Sequence, residues 1–192
     1  AYAQKDRTEF ETVMEQMAEG FMLAYEESVD LTHGEETESV TLVIPQEPDE
    51  TDAYLNLHTE NGEAIPWPEE GEAVLTAKLA DKAGLRVGDE TVLEDEDGNR
   101  LTVTISGISE NYIYHYAYLS PETWEEQIGQ EPEYQTAYVN VKEGQDIHEA
   151  SAAVMNCSGV ASVSAYEDMR TRFNSMMDSL NYVVVLIIVC IT

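Results

Sequence analysis

Basic residues are scarce in this chain: nine lysines and arginines oppose 39 aspartates and glutamates, for a formal charge of −30. Such a field repels phosphate backbones and no basic stripe offsets it, which excludes nucleic-acid binding. An anionic membrane surface is repelled as well, so membrane contact requires a hydrophobic segment. The acids are spread over the whole length and read as a solvated surface that keeps the protein soluble. Cysteine is scarce too. Cys190 sits in an apolar run, and neither it nor Cys157 has neighbouring ligands at metal spacing, so no disulfide framework or thiolate site is expected. There is no leader pattern, and Ala1 reads as a cut inside a longer chain.

Chemical motifs are missing as well. No nucleophile elbow, Walker loop or dinucleotide fingerprint occurs. His33, His58, His115 and His148 are scattered, none with a second ligand at helical or hairpin spacing. Gly84 and Gly88 open no helix, which excludes phosphate cradling. Asp95, Asp97 and Asn99 around Gly98 look like the start of a calcium loop. That loop needs Gly at its sixth position and Glu at its twelfth, where this chain has Arg100 and Ser106. A hairpin turn accounts for the same residues. The chain is therefore not read as an enzyme, and no cofactor or metal is expected.

What is present is a mixture of short elements. Residues 8–17 put Phe10, Val13, Met14 and Met17 on one helical face. Residues 21–31 and 39–44 are strand-like, 45–52 form an acidic loop, and 54–57 form a short extended piece. Asn61-Gly62 is a turn, and Pro66-Trp67-Pro68 forbids regular structure. A strand at 73–75 enters Thr76 as an N-cap, a helix follows over 77–83, and Gly84 ends it. Strands at 91–94 and 101–109 flank the DEDGN turn. Ser120-Pro121-Glu122 caps a helix to Ile128, and a strand covers 134–141. Asp146 with Glu149 caps a helix to about Met155, and 160–165 is the last strand. Without a repeating βαβ rhythm, the fold class is α+β.

Two segments stand out. In ENYIYHYAYLS, Tyr112, Tyr114, Tyr116 and Tyr118 fall on alternate positions, so a straight strand lines up four phenols on one side. They are either a wall of core or lobe interface, or a strip that stacks on sugar rings or an extended peptide. Ile113, Ala117 and Leu119 between them also call for burial, which favours packing. At the C-terminus, LNYVVVLIIVCIT is thirteen residues without a charge. As a helix it covers ~20 Å of a roughly 30 Å hydrocarbon core. Its β-branched content also suits a buried strand. Before it, a capping box at Ser164 and Glu167 leads into Met169, Phe173, Met176, Met177 and Leu180 at steps of three and four. An amphipathic helix that becomes apolar all round is the pattern of a stalk entering a bilayer as a truncated transmembrane helix.

Residues 72–124, and in particular Leu79, Gly84, Leu85, Val87, Gly88 and Asp89 leading to Val103, Ile105, Gly107 and Ile108, resemble the extracytoplasmic domain of FtsX-like and MacB-like ABC-transporter permeases. The tyrosine-rich strand and the stalk resemble large permeases of Gram-positive gut bacteria. The resemblance covers most of residues 10–192; the order of elements carries it, and no single motif does. It implies a two-lobed domain between the first and second transmembrane helices. The membrane-proximal lobe would be 1–71 plus 130–178, the inserted distal lobe 72–129, and 179–192 the start of a transmembrane helix. The strand expected after the first transmembrane helix is absent, so the chain starts late in that lobe. The resemblance implies a multi-pass cell-membrane protein that transmits the motion of a cytoplasmic ATPase subunit and works with a second permease copy or half. An amphiphilic peptide or lipid is the implied substrate, to be exported, extracted or sensed. The scarcity of Lys and Arg is compatible with translocation of the domain. The other reading is a membrane-tethered binding or adhesion module whose tyrosine strip recognises glycan or peptide.

Overall fold

A computed structural model describes residues 4–34, 36–111 and 114–165. The stalk residues Met169, Phe173, Met176, Met177 and Leu180, the transmembrane segment, Tyr112 and Ile113 lie outside the described residues. By contacts the chain forms two compact units. One comprises residues up to Gly20 together with those from Asn140 on, and the other is Phe21–Val139. These bounds differ from 1–71 plus 130–178 and 72–129.

The larger unit is built on strands β1 (Ala18–His33), β2 (Glu36–Pro45), β3 (Glu72–Thr76), β4 (Glu90–Glu94), β5 (Arg100–Ser109) and β6 (Tyr116–Tyr118). Neighbours run in the order β2-β6-β3-β5-β4-β1, and β1 also pairs with β2. The circuit therefore closes into a six-stranded barrel, with β7 (Thr136–Val141) added beside β1. It draws β1 and β2 from before residue 72 and the other four strands from 72–129. β1 and β2 form a long antiparallel hairpin from Ala24↔Pro45 to His33↔Glu36. β2 meets β6 in parallel, as β3 meets β5.

Alternation along the strands fills the barrel. Val29 and Leu31, Val40 and Leu42, Ala73 and Leu75, Leu93, and Leu101, Val103 and Ile105 all join one buried cluster. A closed sheet of this size leaves an interior just wide enough for side chains. Helix α2 (Ala77–Ala83) adds Leu79, Ala80 and Ala83 to the same cluster. It stops in a Schellman arrangement: Gly84 is left-handed at φ 69°, Leu85 N donates to Ala80 O at 2.8 Å, and Gly84 N donates to Asp81 O at 3.3 Å. The Leu85 side chain is buried beneath it.

β5 changes face part-way along. Ala73 pairs with Ile105 but Val74 pairs with Gly107, so Ser106 is an extra residue, a β-bulge. Before the bulge Leu101, Val103 and Ile105 point inward; after it Gly107 turns outward, beneath Ile65 and Val74. A Cβ at Gly107 would lie 2.7 Å from Ile65 Cγ2, so the absent side chain is what lets Ile65 seat there. The outward face carries a second cluster of Ala24, Val43, Leu57, Val74 and Tyr118, covered by Leu55, Ile65 and Trp67.

The smaller unit contains α1 (Gln4–Met17) and α4 (Ile147–Met155). Asp146 caps α4, accepting from His148 N at 2.8 Å and Glu149 N at 3.1 Å, and these bonds hold its carboxyl below the usual range. Cys157 is a free, buried thiol, and its Sγ is 3.5 Å from Ala153 O.

Several expectations change. Residues 160–165 form no strand: Val160 and Val163 are the only large apolar side chains there, and none of the six residues is buried. Next to residues 54–57 the regular pairing is a single bridge, His58↔Ala64. The acidic loop contains a 3-10 turn, Pro48–Ala53. Thr76 makes no side-chain cap; its hydroxyl accepts from Tyr116 N at 3.2 Å and joins β3 to β6. Ser120 does cap α3 (Pro121–Ile128), accepting from Thr123 N at 3.3 Å, and Gly129 ends that helix. The DEDGN segment is a hairpin turn: Asp95 Oδ1 accepts from Asn99 N at 2.8 Å and from Asp97 N at 3.0 Å.

Gly107→Ala should cost ~1–3 kcal/mol, the range for overpacking a filled site. Combining it with Ile65→Ala should make the two changes non-additive. Urea unfolding of both single variants and the pair measures this, and simple additivity would show that Ile65 does not depend on the glycine.

Candidate functional site

β6 is short, and the tyrosines pass through it from solvent to core. Tyr114, before the strand, is 50% exposed, Tyr116 is half-buried, and Tyr118 is 5% exposed. Their rings touch in series. Tyr114 meets Tyr116 edge-on at 6.1 Å between centroids, Tyr116 stacks on Tyr118 at 5.9 Å, and Trp67 meets Tyr118 edge-on at 5.5 Å. Such offset and edge-on pairs suit the ring quadrupoles. Trp67 is tied down by Nε1 donating to Leu119 O at 3.1 Å. Three of the four expected phenols thus share one row, which is neither wholly core nor wholly surface.

Residues from other strands complete this face. Glu26 of β1 pairs with Val43 of β2, which pairs with Tyr118 of β6, so the three lie on one line across the barrel wall. The Glu26 carboxylate accepts from the Tyr138 hydroxyl and, at 3.4 Å, from the Thr136 hydroxyl. Burial raises the Tyr118 phenol above its ordinary pKa, and Tyr116 and Glu26 add to the rise against a bond from Asn111. Burial followed by the Glu26 charge raises Tyr138 and Tyr116 too. All three therefore remain neutral hydroxyls at physiological pH.

A concavity of about 660 Å³ is lined by Trp67 and Tyr134, with Glu47, Glu70, Glu122 and Glu125 among its carboxylates. Burial and then the surrounding glutamates push the Tyr134 phenol up to about 12. At the rim Glu70 and Glu126 share a hydrogen bond that raises the Glu70 carboxyl. Among the described residues no group of three or more His, Cys, Asp or Glu is placed to hold a metal ion. Nor is any described helix long and apolar enough to cross a membrane.

No family model matches the chain, and no curated protein matches it. Solved structures do. One is the extracellular domain of the noncanonic ABC-type transporter YknZ from Gram-positive bacteria, at 12% identity over 83% of this chain and 85% of that one, with TM-score 0.47. Another is the periplasmic region of MacB from Actinobacillus actinomycetemcomitans, at 13% identity over 81% and 78%, with TM-score 0.46. A third is a domain of a putative permease protein from Porphyromonas gingivalis, at 16% identity over 75% and 67%, with TM-score 0.41.

Sequence reasoning singled out the tyrosine row but missed Trp67, Glu26 and Tyr138. Pro66-Trp67-Pro68 carries only a turn signal, and an indole between two prolines gives no hint of where it docks. Glu26 is followed by Glu27 and Ser28 in the same strand, so no signal in the sequence sets it apart.

Replacing Tyr118 by Ala should cost ~3–5 kcal/mol, the range for truncating a large buried aromatic. Tyr114→Ala should stay within ~0.5 kcal/mol because that ring is half in water. Chemical denaturation of the two variants decides it, and equal losses would mean the row is buried as a whole.

The Glu70 pair gives a pH signature. A carboxyl raised in the folded state favours folding when protonated, and that contribution is lost as pH rises through the raised value. Glu70→Gln should therefore raise the melting temperature at pH 7, and the gain should shrink as pH falls and the Glu70 carboxyl protonates. A gain independent of pH would point to another cause.

Proposed function

We propose that this chain is the extracytoplasmic domain of an ABC-transporter permease subunit. In this reading it does no chemistry itself. It couples the motion of a cytoplasmic ATPase to export, extraction or sensing of an amphiphilic peptide or lipid. The observation that supports it best is the unit running from β3 through α2 to β4, β5 and β6, in which several of the residues carrying the family resemblance have a conformational task. Gly84 ends α2 and Leu85 seals the helix end. Gly88, at φ 93°, donates to Ile105 O at 2.8 Å, and Asp89 Oδ2 holds Arg86 N at 2.8 Å. A closed barrel also suits a part that must pass on movement, because a packed interior resists compression and transmits strain.

Met169, Phe173, Met176, Met177 and Leu180 then act as the stalk, residues 179–192 enter the bilayer, and a second permease copy or half completes the transporter. The segment 72–129 supplies the membrane-distal part of the domain.

The full-length protein purified in detergent should bring an ATPase subunit with it, and ATP turnover should fall when Phe173 and Met176 are both replaced by Asp. Turnover indifferent to those two changes, or a full-length protein with no ATPase bound, would refute the reading.

A further inference from the structure

Among the described residues the tyrosine row reaches solvent at Tyr114, whose ring packs edge-on against Tyr116. Tyr114 is one of few large hydrophobic side chains at least half exposed among the described residues. It is not a loose ring, because its edge contact with Tyr116 continues through Tyr118 to Trp67, whose Nε1 is bonded to Leu119 O at 3.1 Å. A ring immobilised before binding loses little entropy when a partner arrives. We propose that Tyr114 and Tyr116, backed by the Glu26 carboxylate, form a docking surface for the cationic side chains of a basic, extended peptide.

Charge decides the occupant. An aromatic face attracts ammonium and guanidinium groups through its quadrupole, and more strongly where water is partly excluded, as beside half-buried Tyr116. Glu26 accepts hydrogen bonds from the hydroxyls of Tyr138 and Thr136, neither of which brings a positive charge of its own. The net charge of −30 steers cations toward the protein and anions away. A neutral glycan could stack on the same rings but would gain nothing from Glu26 or from the field.

Spacing fits an extended partner. Tyr114 and Tyr116 are two residues apart, and a second extended chain repeats its same-side side chains at the same interval of roughly 6.5–7 Å. Alternate Arg or Lys side chains can therefore meet successive rings. The surface depends only on residues within Phe21–Val139 and stands apart from the transporter reading, which survives if this proposal fails.

The test uses the 192-residue chain and a capped Arg-Thr-Arg-Thr-Arg-Thr peptide, titrated by calorimetry at physiological salt. Tyr114→Ala removes a ring and no charge, and should weaken binding about fivefold; Tyr114→Phe keeps the ring and should stay within about twofold. Glu26→Gln should weaken binding as well. Melting temperatures of the Tyr114 variants should match the parent, which separates lost binding from lost folding. Unchanged affinity for Tyr114→Ala would reduce the effect to diffuse attraction by the acidic surface and overturn the proposal. So would undetectable peptide binding, or tighter binding of neutral cellohexaose than of the peptide.

Discussion

Pairing of β1 with β2 closes the barrel, and the rest of the larger unit depends on it. Without that ladder, β1 would leave an open edge beside the ten residues of β2, and the strands would form a sheet exposing one apolar face. With it, edges vanish around the circuit and Leu31, Leu42, Leu75, Leu93 and Ile105 face one another, each almost wholly removed from water. Burial of that apolar surface is the dominant favourable contribution. The acidic exterior adds little: side-chain ion pairs such as Lys82–Glu38 and Arg100–Glu94 involve exposed cations, and exposed pairs contribute only ~0–1 kcal/mol each.

Closure also creates an outside, and the bulge at Ser106 determines how that outside is used. One extra residue turns Gly107 outward and opens the space in which Ile65 seats. Fixing Ile65 brings the 54–68 excursion over Val43, Val74 and Tyr118, and it carries Trp67 to the end of the tyrosine row. A ladder irregularity in β5 thus supports an aromatic array on β6, two strands away in the order β6-β3-β5. The row grades from a wet phenol at Tyr114 to a buried one at Tyr118, and Tyr suits that gradient because its ring packs while its hydroxyl stays polar.

Local signals in the chain were reliable where the physics is local. Asp146, Ser120-Pro121 and Gly84 mark helix boundaries because caps act within a few residues, and α2, α3 and α4 begin and end where they indicate. The strand-like runs at 39–44 and 101–109 marked most of β2 and of β5, because their apolar residues are buried. The same logic misled at 160–165, where alternation exists but too little apolar surface accompanies it. It misled at Thr76 too, whose hydroxyl answers a backbone N–H from a strand forty residues away.

By itself the sequence determined the class of the fold, most element boundaries, the excess of acid and the alternate spacing of the tyrosines. All of these follow from neighbours in the chain or from composition. Only the tertiary structure decided that the strands close into a barrel, that β5 switches face at Ser106, and that Trp67, Glu26 and Tyr138 gather around the tyrosine row. These depend on partners far apart in the chain, such as Leu31 with Leu93, Val74 with Gly107, Trp67 with Tyr118 and Glu26 with Tyr138, and pairing between distant strands is set by how well all the buried faces fit at once. The difference between Tyr114 and Tyr118 has the same origin: two identical side chains four residues apart, one half in water and one in the core, because the cover over the barrel wall reaches one and not the other.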